Sequence, residues 1–344
     1  MENWIEFLKQ HGAQHRDGAV QSFGNPDGER RAARTGNVLV DLSHLSLIRA
    51  SGPDAKTFLN GQLTNDIQQL DGSRSQLSAW CSPKGRMLAL FRIVAEPDGY
   101  LLQLPEALRD ENLKRLRVYV FRSKVTLAAA DDSFIRLGVA GPDAHAIVLE
   151  ATGVAPPDEN GCGRSDVGTV LRLPGLHPRF EILLPPARAD MIWTAMRRRA
   201  VPAGEPVWTW HDIRAGIPIV LPETSDAFVP QMANLDLLGG ISFGKGCYTG
   251  QEIVARIHYL GRLKQRMYRL HVETSDRPKP GTPVYAPEHG NQATGNVVIA
   301  SEAPEDGYDL LAVVHATSVD AGELHLGTPE GPRLTIESLP YAVT

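Results

Sequence analysis

Gly52-Pro53-Asp54-Ala55 recurs, residue for residue, as Gly141-Pro142-Asp143-Ala144. Each copy follows an apolar extended run, Leu45-Ser46-Leu47-Ile48-Arg49-Ala50 in the first case and Phe134-Ile135-Arg136-Leu137-Gly138-Val139 in the second. Each then opens a stretch of helical pattern, over residues 55–63 and 144–150. Proline at a helix start with aspartate in the first turn suits the unpaired N–H groups and the positive end of the helix dipole. Repetition of the flanking pattern as well as the four residues predicts a strand–turn–helix unit used twice, in two related α/β modules.

Working outward, the first module continues with strands over residues 77–81 and 87–94, paired around the turn-forming Ser82-Pro83-Lys84-Gly85. A strand over 100–104 and a helix over 106–119 follow. In the second module, strands over 169–173 and 180–184 flank Pro174-Gly175, a helix covers 189–199, and residues 155–163 read as a surface loop. From Leu263 the texture changes. Short strands over 264–272, 283–285, 295–300, 310–315 and 334–337, separated by turn clusters such as Glu305-Asp306-Gly307, predict a small barrel. The expected division is an N-terminal helix and extension (1–34), a first module (35–130), a second module (131–262) and the barrel (263–344), with interleaving of the two modules left open. The fold class is α+β.

At 344 residues, 42% of them apolar, the chain suggests about two or three domains. Its net charge of −5 offers nucleic acid no global basic field. The clusters Arg30-Arg31 with Arg34, and Arg197-Arg198-Arg199, read first as solvated faces. Cys81, Cys162 and Cys247 are odd in number and too far apart for a CxxC metal knuckle, which fits a reducing cytoplasm better than a disulfide scaffold. The N-terminal stretch from Met1 to Lys9 is a short amphipathic helix with acidic residues, unlike a signal peptide. No run approaches the roughly 20 apolar residues of a membrane span.

The densest chemistry lies in Lys245-Gly246-Cys247-Tyr248-Thr249-Gly250-Gln251-Glu252. Thr249 with Glu252 has the spacing of a capping box, and Ile253, Val254, Ile257 and Leu260 then form one helical face closed by Gly261. Cys247 is thus expected just upstream of a helix N-terminus. The dipole, with Lys245 and Arg256, would there favour thiolate over thiol. The bland alternative is a small residue packed under a tight loop. The preceding glycines nearly spell a phosphate-binding loop, but Gly246 stands where Ser or Thr would hold magnesium.

The octapeptide resembles the signature of YgfZ-type folate-binding proteins, paralogues of the glycine-cleavage T-protein, an aminomethyltransferase. The similarity covers nearly the whole chain. Leu63-Thr64-Asn65-Asp66-Ile67, Arg214-Ala215-Gly216-Ile217-Pro218, the run Pro230 to Asp236 and the late β-domain fall in the expected order. The resemblance implies a T-protein-like ring of three domains around a central opening that binds tetrahydrofolate or a one-carbon derivative. It also implies a role in maintaining or assembling iron–sulfur enzymes, and through them an effect on tRNA modification. Cys247 and Lys245 are then the candidate reactive residues. Glu181 matches the T-protein glutamate that contacts the pterin ring, and a carboxylate suits two N–H donors of a 2-aminopterin. Arg214 is a candidate partner for the folate glutamate tail, or else a C-terminal helix cap. Asn234, Tyr248 and Gln251 complete the expected folate contacts.

One departure bears on activity. Where the T-protein carries an aspartate pair needed for aminomethyl transfer, this chain has Lys84-Gly85-Arg86-Met87-Leu88-Ala89, and Leu88 and Ala89 can act as neither acid nor base. The leading expectation is a cytoplasmic folate-binding accessory protein with a functional cysteine, whose partners are iron–sulfur enzymes or assembly factors. A lone cysteine cannot hold a cluster that needs about four ligands, so any cluster contact is shared with a partner. The alternative is a folate-dependent one-carbon transferase or demethylase. Membrane association and direct nucleic-acid binding are not expected.

Overall fold

The computed structural model describes residues 2–261 and 263–343. Met1, at the expected start of the first helix, Arg262, at the expected end of the second module, and Thr344 lie outside the described residues. The repeated units form as their patterns predict. Strand Leu45–Ser51 leads into helix Ala55–Gln62, and strand Ile135–Ala140 into helix Ala144–Thr152. Asp54 and Asp143 occupy the cap positions without capping the helix through their side chains. Asp54 instead accepts from the Lys124 backbone N–H at 2.7 Å, tying the turn to the edge of its sheet.

The first sheet is antiparallel, in the order Ser75–Cys81, Met87–Glu96, Gly99–Pro105, Leu45–Ser51 and Thr126–Ala129. The second runs Cys162–Arg164, Thr169–Leu173, Arg179–Leu184, Ile135–Ala140, Val38–Asp41 and Val201–Ala203. Val38–Asp41, grouped with the first module by its position in the chain, inserts between strands of the second. It pairs antiparallel with Ile135–Ala140 and parallel with Val201–Ala203. The segment 155–163, read as a loop, ends in the edge strand Cys162–Arg164. Helix Pro186–Met196 starts three residues before the expected Ala189, because Pro186 fits the first helical turn.

The barrel closes through six strands: Gln265–Val272, Tyr308–His315, Gly295–Glu302, Pro283–Tyr285, Leu324–Leu326 and Arg333–Glu337. Leu324–Leu326 is the one absent from the sequence reading. It bridges Pro283–Tyr285 and Arg333–Glu337 and so removes the open edge.

One face of each α/β sheet is covered by helices. The other faces meet through Val40, Leu47, Leu101, Leu171, Leu183 and Trp208. Trp208 comes from helix Glu205–Ala215, which is buried over much of its length and also packs against barrel strand Gly295–Glu302. The centre of the molecule is therefore the seam between two sheets, with this helix and the barrel closing one side.

Candidate functional site

The seam carries charged residues within otherwise apolar strands. Arg92 lies between Phe91 and Ile93, Arg136 between Ile135 and Leu137, and Arg179 and Glu181 flank Phe180. Alternation decides their direction. Phe180 and Ile182 point into the core under the helices, so Arg179 and Glu181 point into the seam.

Glu181 is only 1% exposed and lines a small cavity of about 70 Å³. Its Oε1 accepts from Gln103 Nε2, and among the described residues no hydrogen bond is made to Oε2. Burial raises its pKa to about 6, opposed by the charge of Arg92 and the Gln103 hydrogen bond. Arg92 is held by Ser75 Oγ at 3.2 Å and Asn160 Oδ1 at 3.4 Å, and its own pKa is lowered by burial. Arg179 donates to Asp212 at 2.7 Å and lies 4.8 Å over the Trp208 ring, while its Nε and Nη1 are buried without a hydrogen bond. Leu77, Leu90, Leu104, Leu173 and Trp208 supply apolar walls.

A second cavity of about 370 Å³ adjoins this one and shares Leu45, Pro105, Asp212, Ile217 and Ile219 with it. His44, on its wall, has its pKa lowered by burial. Together the cavities offer a deep end, where Glu181 and Asp212 lie beside Arg92 and Gln103, and a wider, more apolar antechamber. That is the form of a site for a flat, polar-edged ring carrying a long substituent.

The octapeptide lies elsewhere on the first sheet, at the turn between Ser75–Cys81 and Met87–Glu96. The helix expected there is Gln251–Leu260, and its N-cap is Gly250, not Thr249. Thr249 cannot cap, because the chain passes through the left-handed region at Gly250, φ +83, before the helix begins. A Cβ on Gly250 would lie 2.5 Å from the Ser82 carbonyl oxygen, and one on Gly85 would lie 2.8 Å from Ile253. The two glycines let the octapeptide and the strand turn interlock.

Cys247 is exposed on this loop. Lys245 Nζ turns to the carbonyl oxygens of Asn60, Leu63 and Asn65 at 2.6, 2.5 and 2.8 Å, and lies 5.2 Å from the Tyr248 ring centroid. Burial draws the Lys245 pKa down to about 8, opposed by the charge of Asp66. Tyr248 is buried and its pKa is raised by that burial; Gln251 opens the helix, partly exposed. From this turn to Glu181 is far. Met87 to Arg92 alone spans roughly 16 Å of strand.

Like Tyr248 and Gln251, the other two expected folate contacts sit away from Glu181. Asn234 is fully buried in the left-handed conformation and spends its amide on the barrel, donating to Met267 O at 2.8 Å and accepting from Met267 N at 3.4 Å. Arg214 stacks 5.5 Å over Trp210 in a different cleft, which shares no lining residue with the Glu181 cavity. Gln103, Arg92, Arg179 and Asp212 were missed. Their signal was a polar residue breaking an apolar strand, but one sequence does not say which strands face each other. Among the described residues no group of three or more His, Cys, Asp or Glu is placed to hold a metal, and no helix is long and apolar enough to cross a membrane. Three of the six arginines in the basic clusters meet carboxylates among the described residues: Arg30 meets Asp27 and Glu302, Arg34 meets Glu305, and Arg199 meets Asp143 and Glu150.

Comparison with curated proteins places the chain. It is 33% identical over 312 residues to the tRNA-modifying protein YgfZ of Enterobacter sp. (strain 638), an alignment covering 91% of this chain and 95% of the relative. The chain belongs to the YgfZ family. The YgfZ protein of Klebsiella pneumoniae (strain 342) is 32% identical over the same length. Residues 9–162 match the GCVT N-terminal domain. Among solved structures, glycine cleavage system aminomethyltransferase T from Bartonella henselae superposes with a TM-score of 0.80 at 18% identity, covering 98% of this chain and 97% of that one. The T-protein-like fold expected for a YgfZ member is therefore the fold this chain adopts.

Proposed function

We propose that this YgfZ-family chain binds a reduced folate in the central cavity, with Glu181 as the acceptor for the pterin ring. The carrying observation is a buried carboxylate with one oxygen still unengaged, facing a cavity that widens into a second one. Glu181 would take the 2-amino and ring N–H donors, a charge-assisted pair of the kind that fixes both orientation and identity. Gln103 holds the carboxylate in place, and the nearby charge of Arg92 favours its ionised form. Trp208 and the leucines of the seam exclude water from the ring faces. The folate itself supplies a carried one-carbon unit; the residues described here bind and orient it.

The finer reading is an accessory role toward iron–sulfur enzymes, and through them tRNA modification, with Cys247 as the functional thiol. Family membership and the exposure of Cys247 on the octapeptide support it. The test is calorimetric titration with tetrahydrofolate and its formyl and methylene forms, each followed for turnover of the one-carbon unit. Binding without turnover is the expected result. Absence of binding to every form would overturn the folate assignment, and turnover would favour a one-carbon transferase.

A further inference from the structure

A cleft of about 430 Å³ lies where helix Glu205–Ala215 meets the barrel, apart from the Glu181 cavity. Its charges are unevenly matched. At the rim Arg34 pairs with Glu305, and deeper in Arg269 donates Nη2 to Glu337 at 3.1 Å and Nε to Ser338 O at 3.0 Å, which leaves Nη1 without a hydrogen bond among the described residues. Asp309 is engaged at both oxygens, by His271 Nδ1 at 2.9 Å and Trp210 Nε1 at 2.8 Å. Arg214 has no carboxylate within ion-pair distance among the described residues; its contact is the Trp210 ring. It also bears on Arg269, whose pKa is lowered by burial and then by the Arg214 charge. Two guanidiniums that repel each other across a partly enclosed cleft are stabilised by an oxyanion held between the open fork of Arg214 and Nη1 of Arg269. Beside them Leu176, Ala303 and Pro304 form an apolar wall.

We propose that this cleft binds a small organic anion, its carboxylate or phosphate shared by Arg214 and Arg269 and its apolar body lying on Leu176, Ala303 and Pro304. The site is distinct from the folate cavity and independent of it. Phenyl phosphate and benzoate, titrated separately into the full chain by calorimetry, distinguish the two sources of oxyanion. Saturable binding of at least one is expected, weakened about tenfold or more by Arg214→Gln and unchanged by Glu181→Ala. Arg214→Lys, which keeps the charge but loses the fork, should be intermediate, and it carries the test if Arg214→Gln fails to fold. Three results would overturn the proposal: no saturable binding of either probe, native affinity in a folded Arg214 variant, or loss of binding in Glu181→Ala, which would place the probe in the central cavity.

Discussion

Lys245 Nζ lies 2.5 Å from the carbonyl oxygen of Leu63, the residue that ends helix Ala55–Gln62. With the Asn60 and Asn65 carbonyls it makes one ammonium the common cap of a helix end and the following turn. The lysine of the octapeptide thus fastens the loop that presents Cys247 to the first module. Removing it leaves three carbonyls short of a donor. Lys245→Ala should destabilise the chain by about 2 kcal/mol, the scale of lost hydrogen bonds to a charged group. Chemical denaturation checks this, and an unchanged midpoint would show that water replaces the ammonium at no cost.

Glu181→Ala should weaken tetrahydrofolate binding several-fold or more, since a charge-assisted pair is worth about 1.5–3 kcal/mol. Calorimetry on the folded variant measures it. An unchanged dissociation constant would return Glu181 to the buried polar network of the seam.

The pH dependence has two opposite signs. Burial holds the Glu181 pKa at about 6, above the ordinary 4.5. Between these values the folded chain binds more protons than the unfolded one. The stability contributed by Glu181 is therefore complete below 4.5 and lost as pH rises through about 6, a term of about 2 kcal/mol. Pterin binding needs the ionised carboxylate, so affinity should fall as pH drops through the same range. Unfolding curves and titrations between pH 4.5 and 7, native against Glu181→Gln, separate the two; a Gln variant with the native pH profile would dissociate Glu181 from both.

Cys247 should be the first of the three thiols to be alkylated near neutral pH. Cys81 is buried with its pKa raised to about 12, and Cys162 is held at about 11, each chiefly by burial, whereas Cys247 is exposed. Peptide mapping after brief iodoacetamide treatment reads the order. Cys247→Ser should change stability little, keep folate affinity, and yet impair iron–sulfur enzyme activity in cells lacking the native copy. Full complementation would leave Cys247 a surface residue without a chemical role.

Aminomethyl transfer should be absent. Ala89 is fully buried in the first module's core and Leu88 packs against it, so neither position offers a proton-transferring group. Ammonia release from an aminomethyl donor in the presence of tetrahydrofolate is the assay; robust release would show that other residues do this work.

The paired Gly-Pro-Asp-Ala turns, the strand–helix units around them, five barrel strands and the helix that follows the octapeptide were legible because each is set by short-range rules of periodicity, turn chemistry and backbone freedom. Other features depended on long-range pairing. Val38–Asp41 joins the second sheet because its partner edges lie roughly a hundred and more residues away, and Leu324–Leu326 is too short to be read until the barrel needs it to close. Arg214 and Glu181 both read as folate contacts in one dimension. The helix Glu205–Ala215 separates them in three, turning Asp212 toward the central cavity and Arg214 toward the barrel cleft. A sequence fixes which side chains a helix carries on opposite faces; only the packing of that helix between a sheet seam and a barrel decides which cavity each face enters.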